Sequence, residues 1–510
     1  MIQTIVTIQQ AMLVFQQLIF AVLVPAFLYF IFSYLQHLWI CSKYPKGLFP
    51  LPLLGNIHQL GKNSSQTFSS LTKIYGDIFS VSIGTQRLVI LNSMESIHEA
   101  LLTKGSTFGG RPTEFTSNVF TKGYKNLSHT DYGPNLKALR KVIHLSVQKY
   151  AGGLTRQEQM ITFERDELCK KLFNTEKEIA LRCEIDFCTV NVMSGYLFNE
   201  RFLNQNSEFK DVVKSIQLLL DNSGITDKTT FIHWLRYLPL REWNEIKQAR
   251  LVLNPWVEKK VEDHWRKYNE NEIINVTDSM IQHFLTKYDG LDTDFAKKYI
   301  TLLLIELLVA GTETTAITIC WMVLYLIHNP EYQEEIYKEI TLNIGCRYPT
   351  LAEKNLFPLL QAFIQETLRI TSVVPLNLAH KALKDTSICG KIIPKDAIVI
   401  TNLWNLHHDN RYFKNPNEFD PKRWINENGL FDSISQKYFK PFSAGARVCL
   451  GETLAKNQLF LIISGLIMNF IFTSAPGKDL PSLEGQFGIT FRPNSFKVLL
   501  KKRQPEIQKI

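Results

Sequence analysis

Between Met1 and Ser42 the chain has no aspartate, glutamate, lysine or arginine. Leu18 to Leu35 is almost wholly apolar, close to the about 20 residues that cross a bilayer core, so an anchor helix is predicted over residues 1–42. A cleaved leader is disfavoured by two further absences: Met1–Gln10 has no basic residue, and Ile31–Ile40 is bulky where a cleavage site needs small side chains. The eight cysteines form no CxxC pair and follow no regular spacing, which argues against a zinc cluster or a disulfide framework and fits a reducing compartment. No internal repeat or low-complexity tract appears, so repeat architectures are set aside. The lysines and arginines are dispersed rather than gathered into basic and aromatic runs, which disfavours a nucleic-acid binder.

What is present begins with Lys43 and Lys46, directly after the apolar run. By the positive-inside rule they place the remaining chain on the cytosolic side. Pro45, Pro50 and Pro52 forbid a continuing helix, so residues 43–60 read as a stiff Pro-rich linker holding the globule off the membrane. Residues 61–510 read as one catalytic domain, whose 33 phenylalanines supply a large core and a greasy pocket. The net charge of +9 suits an acidic partner or a membrane surface. Ile78–Ile83 and Arg87–Ile90 flank Gly84-Thr85-Gln86 as a hairpin, and Val373–Val399 is rich in β-branched residues broken by turns. Elsewhere helical patterns dominate, so the fold class is mainly α with a smaller β region. The strongest helix spans about Asp294 to His328 and ends at Asn329-Pro330. Glu306 and Glu313 interrupt its apolar run, which favours a buried core helix over a second membrane span.

Phe442-Ser443-Ala444-Gly445-Ala446-Arg447-Val448-Cys449-Leu450-Gly451 sets one thiol in a glycine-flanked loop before a helical pattern, Glu452 to Ile463. Backbone N–H groups at a helix start and a cation such as Arg447 stabilise a thiolate, and the glycines let backbone approach a flat ligand. A lone cysteine is more often a small buried hydrophobe. The full pattern, however, resembles residue for residue the haem-binding loop of the cytochrome P450 superfamily, in which cysteine ligates the iron. The resemblance extends from about Lys43 to Arg503 and implies that fold, haem b held by Cys449, and a binding loop that includes Phe442, Gly445, Arg447 and Gly451.

The same resemblance assigns roles to further residues. Glu366 and Arg369, alone an ordinary i,i+3 pair, would form a buried structural network with Arg423. Ala310-Gly311-Thr312-Glu313-Thr314-Thr315 resembles the family's oxygen-binding groove, where Glu313 and Thr314 would relay protons to dioxygen. Without the cysteine loop, the same stretch reads as a Thr-rich polar seam. Arg111, Arg140, His380 and Arg447 would meet the haem propionates. Leu136 departs from the family, which usually has tryptophan there, so one propionate donor is missing.

Within the superfamily the resemblance is greatest to animal microsomal members, particularly steroid 17-alpha-hydroxylase/17,20-lyases, through stretches such as Asn402-Leu403-Trp404-Asn405-Leu406-His407-His408. It implies a monooxygenase of the endoplasmic reticulum membrane, single-pass, drawing NADPH electrons through a reductase, with cytochrome b5 as a second partner. Asn222 and Glu306 are candidate substrate contacts, although an Asn in such a place is also a common cap. Ala310, Val374 and Ile489, with Leu304, Leu308 and Thr490, would make a mostly apolar pocket suited to a sterol, a fatty acid or a foreign lipophile. A family arginine is Leu253 here, and a pocket aromatic is His129. Lys137, Lys141, Lys437, Lys440 and Lys456 lie near haem-contacting segments and would steer an acidic reductase. The rival readings are a peroxide-rearranging haem isomerase, which the intact Glu313-Thr314 pair disfavours, and a non-catalytic haem-binding membrane protein.

Overall fold

Burial separates two long apolar helices. The computed structural model describes residues 2–149, 153–175, 177–287, 292–432 and 437–503, so Met1 and the last seven residues of the expected catalytic span lie outside it. Its N-terminal helix Ile2–Cys41 holds an apolar span, Phe15–Cys41, that is not packed inside the protein, whereas Thr293–His328 is of similar character but mostly buried. The first therefore reads as a membrane anchor and the second as the core helix. Asp292 caps that core helix by accepting the Asp294 N–H at 3.0 Å, and Asn329 ends it because Pro330 opens the next helix.

The long helix packs against helices Arg182–Phe198, Arg241–Lys267 and Glu452–Asn469 around one large apolar core. Gly311 is what lets one of these come close. A Cβ there would lie 2.5 Å from Met193 Sδ, so this glycine serves helix packing. A smaller four-stranded sheet stands to one side. Ile78–Ile83 pairs antiparallel with Gln86–Leu91, which runs parallel to Ile398–Thr401, which in turn pairs antiparallel with His380–Lys381. The hairpin turn is Gly84-Thr85, one residue tighter than the sequence suggested, since Gln86 pairs with Ile83.

The Pro-rich stretch does not stand free as a spacer. Leu48 N donates to Ser80 O at 3.2 Å, Ser80 N donates to Lys46 O at 3.3 Å, and Ser82 N donates to Asn56 Oδ1 at 2.8 Å. Gly47 lies so close that a Cβ would sit 1.8 Å from Ser80 O. The physical reason is the open edge of strand Ile78–Ile83, whose backbone groups this segment satisfies. The anchor helix joins the same seam through Tyr34 Oη, which donates to Pro50 O at 2.8 Å, and through His37 Nε2, 3.4 Å from Ser82 Oγ.

Candidate active site

The cysteine loop closes on itself: Cys449 N donates to Phe442 O at 3.0 Å, and Gly445–Arg447 forms a single tight turn. Gly445 takes φ +68°, and a Cβ there would lie 1.9 Å from Leu101 O. Its bareness therefore serves packing on Leu101. Gly451 does stand on the sulfur side, with its Cβ position 3.9 Å from Cys449 Sγ. Burial pushes the Cys449 thiol up, while the backbone N–H groups of Gly451 and Glu452 and the Arg140 guanidinium pull it down. The side chain is nevertheless accessible to a small molecule, the condition of a group on an internal wall.

Arg447 was expected to be the cation that stabilises the thiolate. Its guanidinium instead donates to Gly109 O, at 3.0 Å from Nε and 2.6 Å from Nη2, and to Thr130 O. The cation beside the thiol is Arg140, held by a 2.6 Å bond to Val448 O. Arg111 donates to Leu378 O at 2.9 Å and Ala379 O at 2.7 Å, leaving its buried Nε without a partner. Burial and the neighbouring Arg447 push Arg111 down to about 9, and burial and Arg140 push Arg447 down to about 10. His380 donates from Nδ1 to Phe108 O at 2.8 Å, and its buried Nε2 has no partner. Burial, with Arg111 and Arg447, holds its pKa well below the ordinary value. Leu136 is fully buried.

On the core helix, Glu306, Leu307, Ala310, Gly311 and Thr314 remain partly or fully accessible, with Val309 partly so beside them, in a stretch whose other residues are buried. Their spacing is one helical stripe. Leu304 and Leu308 are fully buried in the core on another face, so they do not line this opening. Leu307 was missed, although its four-residue spacing from Gly311 was visible. Thr314 Oγ1 donates to Ala310 O at 2.7 Å. The Glu313 carboxylate turns away, buried and paired with Arg182, which also holds Asp186 at 2.8 Å. That partner is 131 residues distant and has no local signal.

Glu306 accepts from Leu127 N at 2.7 Å, Ser128 N at 3.0 Å and Ser128 Oγ. Phe491 N donates to Val373 O at 2.7 Å, and Trp321 Nε1 donates to Phe491 O at 3.0 Å, so the segments bearing Val374 and Ile489 meet beside the core helix. Asn222 ends helix Ser207–Asp221. Its amide donates to Leu218 O at 2.9 Å and Glu245 Oε2 at 3.1 Å. Leu253 is fully buried.

Glu366 receives Arg369 Nε at 2.9 Å, Arg423 Nε at 3.1 Å and Trp424 Nε1 at 2.9 Å, with Asp420 N at 3.0 Å. Arg369 also donates to His407 O at 2.7 Å and Pro416 O at 2.6 Å, which ties this carboxylate to the coil ahead of the cysteine loop.

The family model for cytochrome P450 matches residues 45–500. The chain belongs to the cytochrome P450 family. Its relatives include steroid 17-alpha-hydroxylase/17,20 lyases: that of Rana dybowskii is 33% identical over 471 residues, covering 91% of each chain. The protein of that name from Squalus acanthias is 33% identical over 473 residues, covering 91% of this chain and 92% of the relative. The one from Gallus gallus is 32% identical over 470 residues, with coverage of 90% and 92%.

As a cytochrome P450, this protein is a haem-thiolate monooxygenase that uses O2 and NADPH-derived electrons on a lipophilic substrate, and it works with redox partners. The residues present fit the haem. Three arginines crowd together, with Arg447 and Arg140 lowering Arg111 and Arg140 lowering Arg447, and two buried nitrogens, Arg111 Nε and His380 Nε2, lack partners. A pair of carboxylates would supply the charge and the acceptors this cradle lacks.

Proposed function

We propose that this cytochrome P450 is a steroid hydroxylase of the endoplasmic reticulum membrane, with its catalytic domain in the cytosol, acting at C17 as its relatives' names describe. The observation that carries the reading is the identity to those steroid hydroxylases over nine-tenths of both chains. Cys449 would hold the iron, and Arg111, Arg140, Arg447 and His380 the propionates. The haem supplies O2 binding and the oxidising power. The net change is R–H + O2 + NADPH + H⁺ to R–OH + H2O + NADP⁺, so the site must admit protons while excluding bulk water.

The protein's own part follows from its side chains. Thr314 Oγ1 donates to Ala310 O and keeps its lone pairs open, so it can accept a hydrogen bond in the site, and it passes its own proton on once the hydroxyl turns from Ala310 O. Glu313 reaches that relay only by leaving Arg182, whose side chain is 28% exposed and thus links the buried carboxylate to solvent. Val374, Ile489 and Ala310 form the apolar wall. Glu366, Arg369 and Arg423 hold the coil that carries the cysteine loop. Lys456, over the Phe442 ring at 5.4 Å, and Lys137, over the Tyr132 ring at 5.0 Å, belong to the basic face for an acidic NADPH-cytochrome reductase, and cytochrome b5 would use the same face.

Asn222 favours a second reading, a hydroxylase of fatty acids or foreign lipophiles. Both of its amide hydrogens are taken up within the protein, so it offers a steroid carbonyl no donor. Membranes containing the protein, the reductase and NADPH separate the two when given progesterone. The steroid reading expects 17-alpha-hydroxyprogesterone. Absence of any steroid product, with fatty-acid hydroxylation in its place, selects the second.

A further inference from the structure

The loop Asn126–Tyr132 is tied at both ends to the site. Leu127 and Ser128 donate to Glu306, which lies one helical turn before Ala310 on the accessible stripe. At the other end, Thr130 O accepts from Arg447 in the cysteine loop, and Tyr132 N donates to Gly109 O at 3.1 Å. The loop is thus a strap across one wall of the pocket. At its centre is His129, where the family usually places an aromatic ring.

Both ring nitrogens of His129 face acceptors. Nδ1 is 2.9 Å from Asn126 Oδ1, and Nε2 is 3.6 Å from Glu114 Oε2. A neutral imidazole has only one N–H, so donating toward both acceptors takes the doubly protonated ring, the form the buried Glu114 carboxylate favours. Glu114 is itself fixed, accepting Gly224 N at 3.3 Å, so it joins the strap to the segment after Asn222. We propose that His129 is a positioning residue of the substrate pocket: as an imidazolium between Glu114 and Glu306 it seats the strap and sets the wall that meets substrate.

The surrounding charges agree. Glu114 and Glu306 favour the charged ring, while Arg111 and burial oppose it, and the balance lies above the ordinary imidazole value. Ser117 Oγ at 3.3 Å and Ser128 Oγ at 3.0 Å are the remaining polar neighbours of the ring. Asp131, in the same strap, accepts Arg111 N at 2.8 Å and pairs with Lys381 at 3.1 Å, and Asp227 is taken up by Thr116 and Thr229. Glu114 is held below the usual carboxylate range, despite its burial, by His129. Burial raises Glu306. A histidine with a raised folded value contributes its full stabilisation below the unfolded value, and loses it as pH rises through the folded one. A buried carboxyl with a raised value shifts in the same sense. The strap therefore loosens toward alkaline pH.

This inference rests on reading the stripe as the substrate wall, so the test has one arm that needs substrate and one that does not. In the haem-loaded protein, the spectral dissociation constant for progesterone should rise about fivefold or more between about pH 6.5 and pH 9. In H129Q, uncharged throughout, it should lie near the alkaline value and keep only the weaker pH dependence that Glu306 contributes, with the reduced carbon monoxide spectrum unchanged. In the second arm, hydrogen exchange at the Leu127 and Ser128 amides should accelerate in H129Q and in E114Q near neutral pH, relative to neighbouring amides. A pH profile in H129Q that matches the wild type overturns the proposal, as does unchanged exchange at those two amides. If progesterone perturbs no variant's spectrum, the steroid reading falls, and the exchange result alone decides the role of His129.

Discussion

At the scale of single residues, the chemistry converges on one sulfur and the cations around it. Cys449 alone combines an accessible thiol, helix-start N–H groups and a facing guanidinium from Arg140. Burial pushes that thiol up, so the metal's own charge must complete its ionisation. Cys449→Ala should therefore abolish the thiolate-type Soret band of the reduced carbon monoxide complex and all hydroxylation. Retention of that band in the variant would remove Cys449 as the ligand. The same scale shows why Arg447 was assigned the wrong neighbour. Its position two residues from the cysteine suggested contact, but loop curvature turns its guanidinium toward Gly109 and Thr130. For His380, burial beside two arginines holds the imidazole well below its ordinary value.

At the scale of elements, the core helix carries the pocket on one stripe and the packing on the rest. Gly311 lies at the border, where Met193 of helix Arg182–Phe198 fills the space of a side chain. Gly311→Ala should cost about 1–3 kcal/mol by overpacking, outweighing the gain in helix propensity. The truncation Met193→Ala in the same chain should return part of that loss. Urea unfolding followed by circular dichroism reads both variants. A stabilised single variant would mean that Met193 simply swings aside. The helix itself was legible from its apolar run and its Asn-Pro stop, because those signals are local. Which face opens to the pocket was not, since a helix apolar around most of its circumference has no polar stripe to mark the outside. Hence Leu304 and Leu308 were placed on the wall and Leu307 was overlooked.

Taken as a whole molecule, the protein joins its membrane anchor to its sheet with no free spacer. Residues 43–56 occupy the edge of strand Ile78–Ile83, and Arg87 Nη1 donates to Leu48 O at 3.0 Å. Deleting residues 1–42 should leave the fold and the carbon monoxide spectrum intact while releasing much of the protein from membranes, as centrifugation would show. Deleting residues 1–56 should cost about 2–6 kcal/mol, because buried Arg87 and Ser82 each lose a partner at about 1–3 kcal/mol. Equal stability of the two truncations would reduce the docked segment to a passive tether.

The sequence by itself determined the anchor, the core helix, the hairpin and the cysteine loop, all of which depend on neighbours within a few residues or on one continuous apolar run. Tertiary structure alone decided the partners of Glu306, Glu313 and Arg447 and the docking of the proline segment. Each of those is a hydrogen bond or ion pair between groups far apart in the chain. Such a pair forms when burial removes water from both groups, and linear spacing carries no trace of it.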